Sequence, residues 1–381
     1  MRELRMVDLV SQYEAIQEEV DAAIKNILQE AAFINGPDVK AFQTELEEYL
    51  DVPHVIPCAN GTDALQVAMM ALDLQPGDEV ITASFTYVAT AEVIALLKLK
   101  PVLVDVDPNT FLIDPQQVRD AITPRTKAIV PVHLFGQTAP MEELMQIAKE
   151  HQLYVIEDTA QAIGSDYHFS DGRVMKAGTI GDIGATSFFP SKNLGCYGDG
   201  GALFTRNDAL AQRLRMIVNH GQSKRYYHDD IGVNSRLDTI QAAILRIKLR
   251  HLNTYSANRN KAASFYDEAF AAIPELQTPS RAPWSTHVFH QYTLKLEGID
   301  RNALVDRIQE KGVPCMIYYP VPLHQQKAYR DDQHDGNLHI TETLCSQVFS
   351  LPMHPDLDQE QLQYIVENVK TAIEELKVEQ P

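Results

Sequence analysis

Cysteine is sparse and scattered: Cys58, Cys196, Cys315 and Cys345 occur in 381 residues, with no C-x-x-C pair among them. Zinc needs clustered ligands, and a secreted disulfide framework needs a short, cysteine-dense chain. Neither is expected; four reduced, mostly buried thiols are, and no metal. Long apolar runs are also missing. The longest, Val93-Ile94-Ala95-Leu96-Leu97, is far too short to cross a bilayer. The start, Met1-Arg2-Glu3-Leu4-Arg5, leads into an acidic amphipathic stretch without an apolar signal core, so a cytoplasmic protein is expected. Basic charge is in short supply, 33 residues against 52 acidic, a formal net charge of −19. That balance argues against nucleic acid or an anionic membrane as partner. A phosphate-bearing ligand needs local donors to overcome such a field. Two phosphate-binding signatures are absent too. There is no Gly-x-x-x-x-Gly-Lys-Ser/Thr loop, and the one glycine-rich cluster, Gly195 to Gly201, lacks Gly-x-Gly-x-x-Gly spacing.

What is present is an ordinary globular composition, 45% hydrophobic and 22% charged, enough to bury a large core; the length suggests two or three domains. Short apolar runs alternate with helical patterns to about residue 220. Strands are expected at His54–Cys58, Glu79–Ala83, Pro101–Asp105, Lys127–His133, Leu153–Glu157, Ile183–Phe189 and Gly201–Thr205. Helices are expected at Thr62–Asp73, Val88–Lys98 and Met141–His151. Strands apolar throughout are covered on both faces, which predicts an α/β domain with a mostly parallel mixed sheet. A long helical pattern through Leu237, Ile240, Ile244, Ile247 and His251 runs on toward Pro274, with room for a kink. Beyond it lie strand-like Val288–Leu296, a helix over Arg301–Lys311, Val313–Tyr319 and two terminal helices. The expected division is residues 1–254, a large α/β domain, and 255–381, a smaller C-terminal α+β domain.

Chemistry concentrates at strand ends, where ligands collect in such sheets. Asp158 follows the run Leu153-Tyr154-Val155-Ile156, and Ser187 and Lys192 close the next. A lysine amine can condense with an aldehyde, and a carboxylate can keep a ring nitrogen protonated. Taken together, the pair points to pyridoxal phosphate. Taken alone, Lys192 reads as a solvated loop lysine, as most lysines are, and Glu157-Asp158 could be a ribose-binding acid, although the glycine cluster follows Asp158 rather than preceding it, which disfavours a dehydrogenase. Asn60-Gly61-Thr62-Asp63 opens a helix after a strand, a phosphate site by geometry and dipole, or a plain cap in which Thr62 or Asp63 satisfies the first turn. Tyr87 is either a ring to stack on a flat cofactor or a core aromatic. His133 reads as packed or hydrogen-bonded. Lys224-Arg225-Tyr226-Tyr227-His228 is either a solvated loop or a set of donors for an anion.

In combination, four segments resemble the DegT/DnrJ/EryC1/StrS nucleotide-sugar aminotransferases, which have the aspartate aminotransferase-like fold of type I pyridoxal phosphate enzymes. They are Asn60-Gly61-Thr62-Asp63-Ala64-Leu65, Glu157-Asp158-Thr159-Ala160-Gln161, Ser187-Phe188-Phe189-Pro190-Ser191-Lys192 and Gly232-Val233-Asn234-Ser235-Arg236-Leu237-Asp238. The likeness extends from Phe33-Ile34-Asn35-Gly36-Pro37 to Ser350-Leu351-Pro352-Met353-His354-Pro355. It implies Lys192 as the Schiff-base lysine, Asp158 on the ring nitrogen, Gln161 near the ring hydroxyl and Tyr87 stacked on the ring. Gly61, Thr62 and Ser187 would hold the phosphate, joined by Asn234 of a second subunit, so that a homodimer shares its sites. Arg236, Tyr318 and Tyr319 would approach a sugar carboxylate. Within the group the chain is most similar to enzymes that aminate C3 of UDP-2-acetamido-2-deoxy-3-keto-glucuronic acid with L-glutamate, on the way to bacterial surface polysaccharide such as O-antigen. It departs from them at Tyr318, where a histidine is expected. The alternatives are a 4-keto nucleotide-sugar aminotransferase and a catalytically silent nucleotide-sugar-binding protein.

Overall fold

The computed structural model describes residues 2–329 and 338–379. Two helices open the chain, α1 (Leu9–Glu30) and α2 (Pro37–Leu50). Then strands and helices alternate: β1 (His54–Cys58), α3 (Gly61–Ala71), β2 (Glu79–Ala83), α4 (Ala89–Leu96), β3 (Lys100–Val104), α5 (Pro115–Ala121), β4 (Thr126–Val130), α6 (Met141–His151) and β5 (Tyr154–Asp158). A hairpin of β6 (Asp166–His168) and β7 (Val174–Lys176) precedes β8 (Ile183–Ser187) and β9 (Gly201–Thr205). After α7 (Asp208–Ile217) comes an exposed hairpin, β10 (Gln222–Lys224) and β11 (Tyr227–His228), then α8 (Thr239–Leu249) and α9 (Leu252–Phe270). The remainder comprises β12 (Leu276–Gln277), β13 (Tyr292–Leu296), α10 (Arg301–Glu310), α11 (His339–Gln347), β14 (Val348–Leu351) and α12 (Gln359–Glu379). Among the described residues no helix is long and apolar enough to cross a membrane.

The main sheet has seven strands in the order β1-β9-β8-β5-β4-β2-β3. From β3 to β8 every pairing is parallel; β9 then runs antiparallel to both β8 and β1. This is the mostly parallel mixed sheet expected from the sequence. Its central strands are apolar and covered on both faces: Ile81, Ile129, Val155 and Ile156 are all fully buried. Packing against β1, β8 and β9 is α3, which buries Leu65, Ala68 and Met69. A second core, drawn from residues 262 to 376, gathers Tyr266, Phe270, Tyr292, Leu304, Phe349 and Ile365 around the small sheet β12-β13-β14.

Where the structure differs from sequence expectation, the cause is local. The strand expected to run from Lys127 to His133 stops at Val130, because Pro131 has no N–H to give a ladder; a lone bridge, Val132 to Asp158, continues the direction. The long helix is two helices, broken where His251 N–H turns back to the Lys248 carbonyl at 3.0 Å instead of reaching one residue further. Of the expected strand Val288–Leu296 only Tyr292–Leu296 is regular. Residues 313 to 319 pair through a single bridge, Met316 to Ser350. All four cysteines are free and buried.

Candidate active site

Three chain segments meet at the carboxyl edge of the sheet. The first is the start of α3. Asn60, in extended backbone geometry, caps the helix: its side-chain oxygen accepts the Asp63 N–H at 2.8 Å. Neither Thr62 nor Asp63 caps it, which corrects the plain-cap reading of the sequence. Because Asn60 takes Asp63, the N–H groups of Gly61 and Thr62 and the Thr62 hydroxyl have no partner among the described residues. They point from the positive end of the helix dipole, an arrangement suited to an anion.

The second segment is the end of β8. A Cβ on Gly61 would lie 2.6 Å from the Ser187 Cβ, so only glycine lets the helix start come this close to the strand end. Ser187 is in register with Gly201, where a Cβ would meet the Asn60 carbonyl carbon at 2.5 Å. Two glycines therefore press helix start and both strand ends into one cradle, with the Ser187 hydroxyl beside the free N–H groups. Such a donor set fits a phosphate.

The third segment is the end of β5. Glu157 and Asp158 are adjacent but serve different ends. Glu157 is fully buried and saturated, accepting the N–H groups of Gly178, Ile180 and Gly181 at 2.9, 2.6 and 2.6 Å. His133 completes it: Nδ1 accepts the Ala139 N–H, so Nε2 carries the proton and donates to Glu157 at 2.8 Å. His133 is thus the packed, hydrogen-bonded histidine the sequence suggests. Asp158 faces the site. It accepts the Thr90 hydroxyl at 2.9 Å and the Ala160 N–H at 3.1 Å, which leaves lone pairs on both oxygens. Burial raises its pKa, opposed by the Ala160 and Thr90 bonds and by the charge of Lys192.

Lys192 follows β8 by five residues and its amine has no hydrogen-bond or ion-pair partner among the described residues. Burial pushes its pKa down to about 8, with Asp158 pulling the other way. At pH 7.5 roughly a quarter of such amines are neutral, against about one in a thousand for an ordinary lysine. A neutral amine is the nucleophilic and basic form.

Around this centre, Gln161 accepts the Phe135 N–H at 2.7 Å and donates to the Tyr319 hydroxyl at 3.2 Å. Tyr319 packs edge-on against Phe85 and lies 6.4 Å from the ring of Tyr87, measured between centroids. Tyr87 is 58% exposed, so it is no core aromatic and has a face to offer a ligand. Tyr318 is half-buried beside Tyr319. Asn234 is exposed and Arg236 half-buried. Neither side chain touches the other candidates through a hydrogen bond or ion pair among the described residues. The basic and aromatic patch at residues 224 to 228 forms the exposed hairpin, with Lys224 over the Tyr227 ring and Arg225 over Tyr226. Sequence reasoning missed Thr90 as the donor to Asp158. The contact spans 68 positions and left no trace in spacing.

A lysine, a buried carboxylate and an N–H cradle suited to an anion lie at the edge of a mostly parallel sheet, an arrangement that fits an enzyme of the α/β aminotransferase type. The chain belongs to the DegT/DnrJ/EryC1/StrS aminotransferase family, whose model matches residues 14–370. It is 44% identical, over 95% of its length and 98% of the relative's, to a UDP-2-acetamido-2-deoxy-3-oxo-D-glucuronate aminotransferase of Pseudomonas aeruginosa. A UDP-N-acetyl-3-dehydro-α-D-glucosamine 3-aminotransferase of Acidithiobacillus ferrooxidans is 42% identical over 97% of each chain. Among solved structures, NtdA of Bacillus subtilis, with bound PMP cofactor, superposes with a TM-score of 0.90 at 31% identity, covering 98% of this chain and 86% of that one.

Proposed function

We propose that the protein is a pyridoxal phosphate-dependent aminotransferase that moves the amino group of L-glutamate to C3 of a UDP-linked 3-keto sugar. The substrate we assign is UDP-2-acetamido-2-deoxy-3-keto-D-glucuronic acid, an intermediate for bacterial surface polysaccharide made in the cytoplasm. The observation that carries the reading is the meeting of Lys192, Asp158 and the Gly61-Thr62-Ser187 cradle at one sheet edge. Pyridoxal phosphate, when bound, supplies an aldehyde that condenses with amines and a protonated ring that takes up electron density.

The chain's own residues supply the rest. The cradle N–H groups and the Ser187 hydroxyl hold the phosphate. The Asp158 carboxylate, kept in place by Thr90 and Ala160, holds a proton on the ring nitrogen. Tyr87 offers its exposed face to the ring, and Gln161, fixed by Phe135, approaches the ring hydroxyl. The Lys192 amine takes the proton from the donor's Cα and returns one to C3 of the sugar, and a pKa near neutrality suits it to both directions. Donor and acceptor use the same site in turn, so ping-pong kinetics are expected. Asn234 and Arg236, whose side chains have no hydrogen-bond or ion-pair partner among the described residues, serve the site of a second subunit in a homodimer. Arg236 with Tyr318 and Tyr319 receives the sugar carboxylate; a tyrosine hydroxyl at 318 donates where a histidine would. The reading also divides the chain into a cofactor lobe, 1–254, and a smaller lobe, 255–381, supported by one hydrophobic core drawn from each, with Leu344, Cys345 and Val348 packing across the division into a third.

The test is glutamate-dependent amination of a panel of 3-keto and 4-keto UDP- and dTDP-sugars. Turnover is expected with the 3-keto-uronate, and failure with every 3-keto sugar overturns the assignment.

A further inference from the structure

The residue after the reactive lysine, Asn193, is 4% exposed, and its side chain crosses to the segment that leads into β13. Its amide nitrogen donates to the Val288 carbonyl at 2.9 Å. A carbonyl can only accept, so the amide oxygen must face the other way, toward Nδ1 of His290 at 3.2 Å. That oxygen accepts in turn, which places the imidazole proton on Nδ1. Nε2 is left as a lone pair with no donor among the described residues. His290 is itself 4% exposed. Burial and the charges of Lys192 and Arg259 hold its pKa far below the ordinary value, so the ring is neutral.

The segment receiving Asn193 is held from two further sides. The Gly136 carbonyl accepts the Val288 N–H at 2.7 Å. The Arg259 guanidinium, 2% exposed, donates to the carbonyls of Phe289 and Met353 at 3.0 and 2.7 Å. A loop carrying the reactive amine is thereby tied to α9 and to the chain just beyond β14.

We propose that Asn193 and His290 are a positioning pair for Lys192: the Nδ1–H of a neutral His290 holds Asn193, and through it the loop that presents the lysine amine to the site. The pair does two things. It fixes the amine where burial keeps it partly deprotonated, and it places an uncharged ring, rather than an imidazolium, next to a group that must accept protons. Asp158 is the group whose charge acts on Lys192, and the charge of Lys192 in turn helps to keep the His290 ring neutral. The proposal rests on Lys192 being the reactive lysine.

The test uses the full-length apo-protein, competitively acetylated from pH 6 to 11, with Lys192 labelling read by peptide mass spectrometry. In the wild type the labelling midpoint is expected near 8; a midpoint like that of surface lysines would count against the lysine assignment itself. His290→Phe keeps a ring but loses the bond, and the midpoint is expected to rise by about half a unit or more, which is about threefold less labelling at pH 7.5. His290→Gln retains a donor for Asn193 and should stay at the wild-type midpoint. Asn193→Ala removes the same bond from the other side and should shift as His290→Phe does, which keeps the test open if the phenylalanine variant fails to fold. An unmoved midpoint in the bond-deleting variants, or equal shifts in His290→Phe and His290→Gln, would overturn the proposal.

Discussion

Gly61→Ala isolates the phosphate cradle from the rest of the site. Alanine is the better helix former by about 1 kcal/mol, so without tertiary contacts the substitution would stabilise α3. The structure says otherwise. The new Cβ would sit 2.6 Å from the Ser187 Cβ, 3.1 Å from its Cα and 3.2 Å from its hydroxyl oxygen. Ser187 cannot retreat, because its register partner Gly201 is itself pressed against Asn60. The first turn of α3 must move instead. Overpacking of this kind costs about 1–3 kcal/mol, so after the propensity gain the net loss of stability is expected to be about 0–2 kcal/mol. The larger effect falls on the ligand. Each N–H bond to a charged oxygen contributes about 1.5–3 kcal/mol, and displacing Gly61 and Thr62 loses at least one. Affinity for pyridoxal 5′-phosphate should fall by about tenfold to 100-fold, since 1.4 kcal/mol is a factor of ten. Absorbance titration of the apo-protein with pyridoxal phosphate and, separately, with pyridoxal reads this directly. Only the phosphorylated form should suffer. Equal losses for both, or unchanged phosphate affinity, would refute the cradle.

Asp158→Asn should still bind cofactor but turn over at least about 100-fold more slowly; near-normal turnover would remove the carboxylate from its role. Thr90→Val deletes a donor to that buried carboxylate and is expected to cost about 1.5–3 kcal/mol in denaturant melts, with an intact melt showing the bond to be dispensable. Lys248 is 1% exposed, and among the described residues its ammonium has no hydrogen-bond partner and lies 4.4 Å from the Tyr197 ring. Burial lowers its pKa to about 8 from an unfolded 10.5. Stability is therefore lost as pH falls from about 10.5 to 8, and the full penalty persists below 8. Lys248→Met should gain about 2–3 kcal/mol at pH 7, the gain vanishing above pH 10.5; a loss at pH 7 would contradict it.

Much of the fold is visible in the apolar runs because central strands of a mostly parallel sheet are buried on both faces and built mainly from apolar residues, while a polar one such as Thr82 is accommodated by its bond to the Val130 carbonyl. His54–Cys58, Glu79–Ala83 and Gly201–Thr205 match residue for residue. The site was visible where chemistry is concentrated in short motifs, at Asn60-Gly61-Thr62 and Glu157-Asp158. It was not visible where contacts are long-range. Thr90 reaches Asp158, and Asn193 reaches His290, only because crossovers bring distant segments to one edge. Asn60 is hard to single out as the cap because Asn60, Thr62 and Asp63 compete for that role within four residues, and backbone geometry decides among them. Tyr87 was ambiguous for a related reason: an aromatic beside a strand end is core or ligand platform depending on what covers it. Its exposure answers that.

The central claim is that Lys192 is the lysine that binds pyridoxal phosphate, and one measurement addresses it most directly. The purified protein, loaded with the cofactor, is reduced with borohydride, digested and mapped. Cofactor fixed on the peptide containing Lys192, with the visible absorbance erased by reduction and absent from Lys192→Ala, is the expected result. Cofactor on another lysine, or Lys192→Ala retaining both absorbance and turnover, would contradict it.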